Sequence, residues 1–160
     1  VVNQSCFGDE SLQEGISEEC IVNLRNIQET FRNTDKENFG KLEKYYQENE
    51  AGLDEGTRLM VTNSLQLYGS DPYSNLADAY DRYFTANIEW HKFFRDVVSI
   101  KGVDNMTEGE LMSAQPLAQE VIDAEESLQL ETNNFRDYLY ENFDKEFVEA
   151  LVGQVESLKD

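Results

Sequence analysis

His91 is the only histidine in the chain, so any catalytic or metal-binding arrangement that needs an imidazole must pass through it. A nucleophilic triad would need a serine or cysteine activated by that imidazole and a carboxylate to orient it. Cys6 and Cys20 lie far from His91 in sequence and are better matched to each other than to it. A di-iron bundle needs two Glu-x-x-His pairs on facing helices, which one histidine cannot supply.

The surroundings of His91 are nevertheless distinctive. Tyr73, Tyr80, Tyr83, Phe84, Trp90, Phe93 and Phe94 crowd one segment, with Asp78, Asp81 and Glu89 interleaved. Aromatic faces beside carboxylates are the chemistry that holds an organic cation or an aromatic ligand. Tyr80, Tyr83, Phe84, Trp90, His91 and Phe94 are therefore the candidate ligand-binding residues. The same spacing is how a helix buries an apolar stripe, and packing is the simpler account of it.

Other chemistry is poorly served. Asp35 to Tyr46 has the acidic first position and the glycine at position six of a calcium loop, but it places Phe39 at five and Tyr46 where the bidentate glutamate belongs. Asp104 to Gln115 departs further, with Met106 at position three and Pro116 directly behind. Neither is expected to bind a metal. Neighbouring carboxylates such as Glu18 with Glu19, Asp78 with Asp81 and Glu125 with Glu126 lie along helices, whereas acid and base catalysis needs them across a cleft. No GxGxxG or GxxxxGK loop is present to cradle a phosphate. The expectation is a protein without metal or cofactor and without enzymatic activity.

Charge narrows the partners. Thirty-three acidic residues against 13 basic ones give a formal charge of −20, spread along all 160 residues. Nucleic acids and anionic membranes both demand basic faces, so neither is an expected partner. Cationic ligands and basic proteins are compatible. No apolar run approaches the roughly 20 residues that span a bilayer. Thirteen residues separate Cys6 from Cys20, a spacing that suits one loop-closing disulfide better than a zinc site, which would need further ligands nearby. Asn3-Gln4-Ser5 and Asn105-Met106-Thr107 have the form of glycosylation sequons, although thirteen asparagines make one or two such matches unsurprising.

The elements that position these residues are helical. Residues 1–16 lack periodicity and read as an N-terminal arm, with a single helical-bundle domain over 17–160. Ser17 is a plausible N-cap for a helix with Cys20, Leu24, Ile27 and Phe31 on one stripe. Thr34 with Glu37 has capping-box spacing, which predicts a second helix from Asp35 to about Glu50 with Phe39, Leu42, Tyr45 and Tyr46 inward, unless it fuses with the first. Asp54 caps a short helix carrying Leu59, Met60, Leu65 and Leu67 that ends at Gly69. Ser70-Asp71-Pro72 starts the aromatic helix, which should reach Ile100 and stop at Gly102. Thr107 and Glu110 form another capping box, and Pro116 predicts a kink or restart before a long helix with Leu117, Val121, Ala124, Leu128, Thr132, Phe135, Leu139 and Phe143 inward. Asp144 leads into a last helix bearing Phe147, Leu151, Val155 and Leu158. Such helices can bury their stripes only against one another, so the expected fold is all-α: an antiparallel bundle of four long rods, some broken, in five to six segments.

The function expected is that of a non-enzymatic extracytoplasmic bundle that binds a partner protein or a small ligand, as a sensor module or a secreted or surface protein, with homodimerisation as one mode of assembly. Its basis is the pair of cysteines, a start at Val1 without methionine, and the missing catalytic sets. The alternatives are a cytosolic acidic adaptor or nucleic-acid mimic that engages a basic protein, and an enzyme built around His91 and its aromatic pocket.

Overall fold

A computed structural model describes residues 17–157. The arm over 1–16, Cys6 of the expected disulfide, the Asn3 sequon and Leu158 lie outside the described residues, as does the side chain of Val155. Every regular element among the described residues is helical, and the fold is an all-α bundle. Five helices make it up: α1 (Glu18–Asn49), α2 (Glu55–Tyr68), α3 (Asp71–Phe93), α4 (Glu108–Asn142) and α5 (Lys145–Ser157). The rod begun by α3 continues through a π turn, Phe94–Val98, into a last turn at Ser99–Lys101.

The boundaries follow the local chemistry. The Ser17 hydroxyl accepts the Cys20 amide at 3.2 Å, and the Asp54 carboxylate accepts the Thr57 amide at 2.7 Å. Ser70 Oγ accepts the Tyr73 amide at 3.3 Å, just before Pro72. The Thr107 and Glu110 box closes in both directions, at 3.1 and 3.2 Å. Each bond satisfies an amide at a helix start that has no carbonyl partner within its own helix. Gly102 ends the α3 rod with φ 75°, a conformation open to glycine at no steric cost. Gly69 is needed for space instead, since a Cβ there would meet the Leu65 carbonyl at 2.9 Å and the Phe39 ring at 3.1 Å.

Two expected breaks do not occur. Thr34 and Glu37 lie inside a continuous α1, because the run from Glu18 to Phe39 contains neither glycine nor proline to interrupt it. Pro116 lies inside α4 without dividing it. It removes the hydrogen bond to the Met112 carbonyl, but Pro116 and Met112 are both exposed, so water can satisfy that group.

The chain packs as two compact units, one gathering residues up to Lys36 with Asp78–Leu128, the other Glu37–Ala77 with residues from Gln129 onward. In the first unit, Ile21, Leu24 and Ile88 form the core, with Cys20 and Phe84 packed on it. Polar pairs record the direction of the helices. Arg25 meets Glu89 at 2.6 Å, Gln28 meets Asp81 at 2.8 Å and Arg32 meets Asp78 at 2.9 Å, so α1 and α3 run antiparallel. In the second unit, Leu67 of α2, Leu139 of α4, Phe143 and Val148 of α5 are buried together, flanked by Phe135, Tyr138, Phe147 and Leu151. The Phe143 ring lies 5.8 Å from Tyr138 edge-on and 5.2 Å from Phe147.

Some residues expected inside are outside. Phe31 is 67% exposed and Tyr45 is also exposed, whereas Phe39, Leu42 and Tyr46 are half-buried. The α1 seam continues from Ile21 and Leu24 through Gln28 and Arg32, whose side chains reach α3, and this turns Phe31 to solvent. Thr132 is exposed too, at the step of the α4 stripe between Leu128 and Phe135. Truncating Ile88, which is fully buried, to alanine is expected to lower unfolding free energy by about 3 kcal/mol. Phe31→Ala should change it by less than about 0.5 kcal/mol. Urea denaturation followed by circular dichroism checks both, and equal losses would contradict the seam described.

Candidate functional site

The α3 helix presents two different faces, and their separation follows from about 100° of rotation per residue. One face carries Tyr80, Phe84, Ile88, His91 and Phe94. The other carries Arg82, Thr85, Ala86 and Glu89, nearly opposite, with Asp81 at the border beside Ile88. Of the six candidate ligand residues, Phe84 packs on the core of the first unit and His91 is buried, only 8% exposed. Tyr83 is half-buried, and Tyr80 is 56% exposed. Trp90 is half-buried and stacks on Phe93 with ring centroids 6.3 Å apart, while Phe94 opens the π turn. The six share a helix, but packing, solvent and stacking divide them.

Burial pushes the His91 imidazole below its ordinary value near 6.5, because an apolar surrounding disfavours the charged form. The imidazole is therefore neutral at pH 7 and belongs to the buried face, beside the turn where the helix widens. In that turn the Ser99 amide bonds to the Phe94 carbonyl, five residues back, and the usual four-residue step returns with Gly102 to Val98 at 2.8 Å. Arg95, within the turn, joins Asp96 at 2.7 Å and reaches Glu18 at the start of α1 at 3.2 Å.

The opposite face of α3 forms an open groove of about 340 Å³ with α4, lined by Asp81, Arg82, Thr85, Ala86, Glu89, Leu117 and Glu120. Leu117 and Ala86 supply its apolar surface. Its carboxylates are held by guanidinium groups. Arg82 grips Glu120 with two bonds, Nε at 2.7 Å and Nη2 at 3.1 Å. Arg25 holds Glu89, and Arg32 approaches Asp81 at 2.8 Å. Bonding to Arg82 keeps the Glu120 carboxyl below its usual range, and Glu120 in turn raises Arg82. A carboxylate stabilised as the anion is a weak proton acceptor and does not supply a proton at neutral pH, so Glu120 is poorly suited to acid or base work. What the groove offers is three oriented carboxylates, each already paired with an arginine, beside an apolar surface.

Sequence reasoning placed Asp81 and Glu89 beside the aromatics but missed Arg82, Thr85, Leu117 and Glu120. The i, i+4 series Asp81, Thr85, Glu89 was visible on α3, while the approach of Glu120 depends on how α4 packs. Among the described residues, no three His, Cys, Asp or Glu side chains gather as a metal site. No described helix is long and apolar enough to cross a membrane. Comparison with known proteins finds no matching family model, no matching curated protein and no matching solved structure.

The depressed His91 value has a consequence for stability. The unfolded chain takes up a proton near pH 6.5 while the folded chain resists it, so this contribution is complete above pH 6.5 and is lost as pH falls below it. The wild-type protein should therefore lose stability relative to His91→Leu between pH 7 and pH 5. Urea titrations of both across that range check it, and parallel pH profiles would show that the imidazole is not desolvated.

Proposed function

We propose that this chain is a non-enzymatic binding domain that works outside the cytoplasm and holds a cationic group, from a small organic cation or a basic partner protein, along the groove between α3 and α4. The observation that supports this is the groove itself: Asp81, Glu89 and Glu120 are oriented by arginines around Leu117 and Ala86, so that their remaining lone pairs can accept from a cation beside an apolar surface. A cation with a hydrocarbon or aromatic body gains from both parts, and the formal charge of −20 draws such ligands from a distance. As a sensor or as a secreted or surface protein, the bundle would report occupancy through small helix shifts, for which the π turn at the end of the α3 rod is a natural point of adjustment. A bridge between Cys6 and Cys20 belongs to the same proposal, because disulfides persist in oxidising compartments.

The −20 charge also favours a second proposal, a cytosolic acidic adaptor that covers a basic protein surface. The state of the thiols separates the two. Intact mass of the natively produced protein, alkylated with and without prior reduction, is expected to show both cysteines protected until reduced. Two freely alkylated thiols would favour the adaptor instead.

Binding is tested by thermal shift with a series of alkylammonium and benzylammonium salts against sodium chloride at equal ionic strength. Benzylammonium should raise the melting temperature of the wild-type protein above the sodium control, and Leu117→Asn should reduce the gain to that of an alkyl-free ammonium. Identical shifts for all the salts would mean screening alone and would sink the groove as a binding site.

A further inference from the structure

We propose that Asn105 is an acceptor for N-linked glycan, an inference that rests on the extracytoplasmic reading. Asn105-Met106-Thr107 is the one sequon within the described residues, and the fold places it where such a sequon can be used. A bulky hydrated glycan is compatible with the fold only where its asparagine lies on accessible surface, as loops provide. Asn105 ends the short turn Val103–Asn105, and Met106 follows in extended conformation with φ −71° and ψ 140°. Asn105 and Thr107 are both exposed.

The contacts that hold the tripeptide are local. Asn105 Nδ2 donates to the Lys101 carbonyl at 2.8 Å, and Thr107 Oγ1 accepts the Glu110 amide at 3.1 Å. The second bond uses a lone pair of the hydroxyl and leaves its hydrogen able to donate. Both bonds are exposed, so binding to a transferase would exchange them at small cost. The eleven other asparagines among the described residues all lie within α1–α4, and none of them begins a sequon.

The same turn exposes an unusual amount of apolar surface. Ile100 is 76% exposed, Val103 64% and Met112 66%, all within seven residues of Asn105. A hydrated glycan rooted at Asn105 would shield this end of the first unit from association with other chains. In the transfer, Asn105 Nδ2 bonds to the anomeric carbon of a lipid-linked oligosaccharide. The bond from that carbon to the lipid phosphate oxygen breaks, the phosphate leaves with the electron pair, and the amide gives up one proton. No oxidation or reduction occurs.

Mass analysis of the natively produced protein tests the proposal on the tryptic peptide that runs from Gly102 to Arg136. The peptide is expected to carry a glycan mass that peptide N-glycosidase removes, converting Asn105 to aspartate. Asn105→Gln, produced in the same organism, should lose that mass and keep the helical circular dichroism of the wild type. An unmodified peptide in protein whose cysteines are bridged overturns the glycosylation site while the extracytoplasmic reading stands. An unmodified peptide together with two free thiols overturns both.

Discussion

A chain with 33 acidic and 13 basic side chains must bring acidic helices together, and it does so by placing its arginines at the seams between them. Four of the six arginines cross from one helical segment to another within the first unit: Arg25 to Glu89, Arg32 to Asp78 and Asp81, Arg82 to Glu120, and Arg95 to Glu18. Three lysines instead pair along their own helices, Lys41 with Glu37, Lys44 with Glu48 and Lys145 with Glu149. The planar guanidinium fork suits the division, because it can hold a carboxylate in a set direction where an ammonium acts as a point charge. Each exposed pair contributes only about 0–1 kcal/mol, so their main effect is on register and on relief of repulsion.

That arrangement explains features that hydrophobic burial alone does not. Among the described residues of the first unit, several core side chains are small, Ala79, Ala86 and Ala124 among them, so apolar contact leaves the alignment of α1 with α3 loosely specified. Gln28 and Arg32 complete it, reaching Asp81 and Asp78 where a stripe of apolar residues would have put Phe31. The α3 and α4 pair is clamped in the same way by Arg82 with Glu120 and Lys101 with Glu110, and the groove is the space left open beside the Arg82 clamp. The carboxylates around that space are thus structural members first, each already paired with an arginine.

Much of the fold was legible from the chain. Ser17, Asp54, Ser70 and the Thr107 box mark helix starts because a side-chain oxygen at that position meets an unpaired amide, a local rule that tertiary packing leaves intact. The α4 stripe from Leu117 to Phe143 was readable for the same reason that it packs: the residues recur every three or four positions. Thr34 and Pro116 misled because capping residues and prolines are permissive of breaks, and a long exposed helix can run through them. Phe31 misled because a polar residue at a seam looks, in sequence, like a polar residue on a solvated face. The groove stayed hidden on the same account. Its residues come from two helices, and it is the Arg82 clamp that brings Glu120 of α4 to this face of α3.

The most direct test of the charged seam is a double-mutant cycle on Arg32 and Asp81, each replaced by alanine alone and together, with unfolding followed in urea at low ionic strength. If the guanidinium sets the register of α1 against α3, the two substitutions will be coupled by about 1 kcal/mol. The coupling should shrink in molar salt as the pair is screened. Additive losses at low salt, with no coupling, would show that apolar packing alone aligns these helices and that the arginines only decorate the surface.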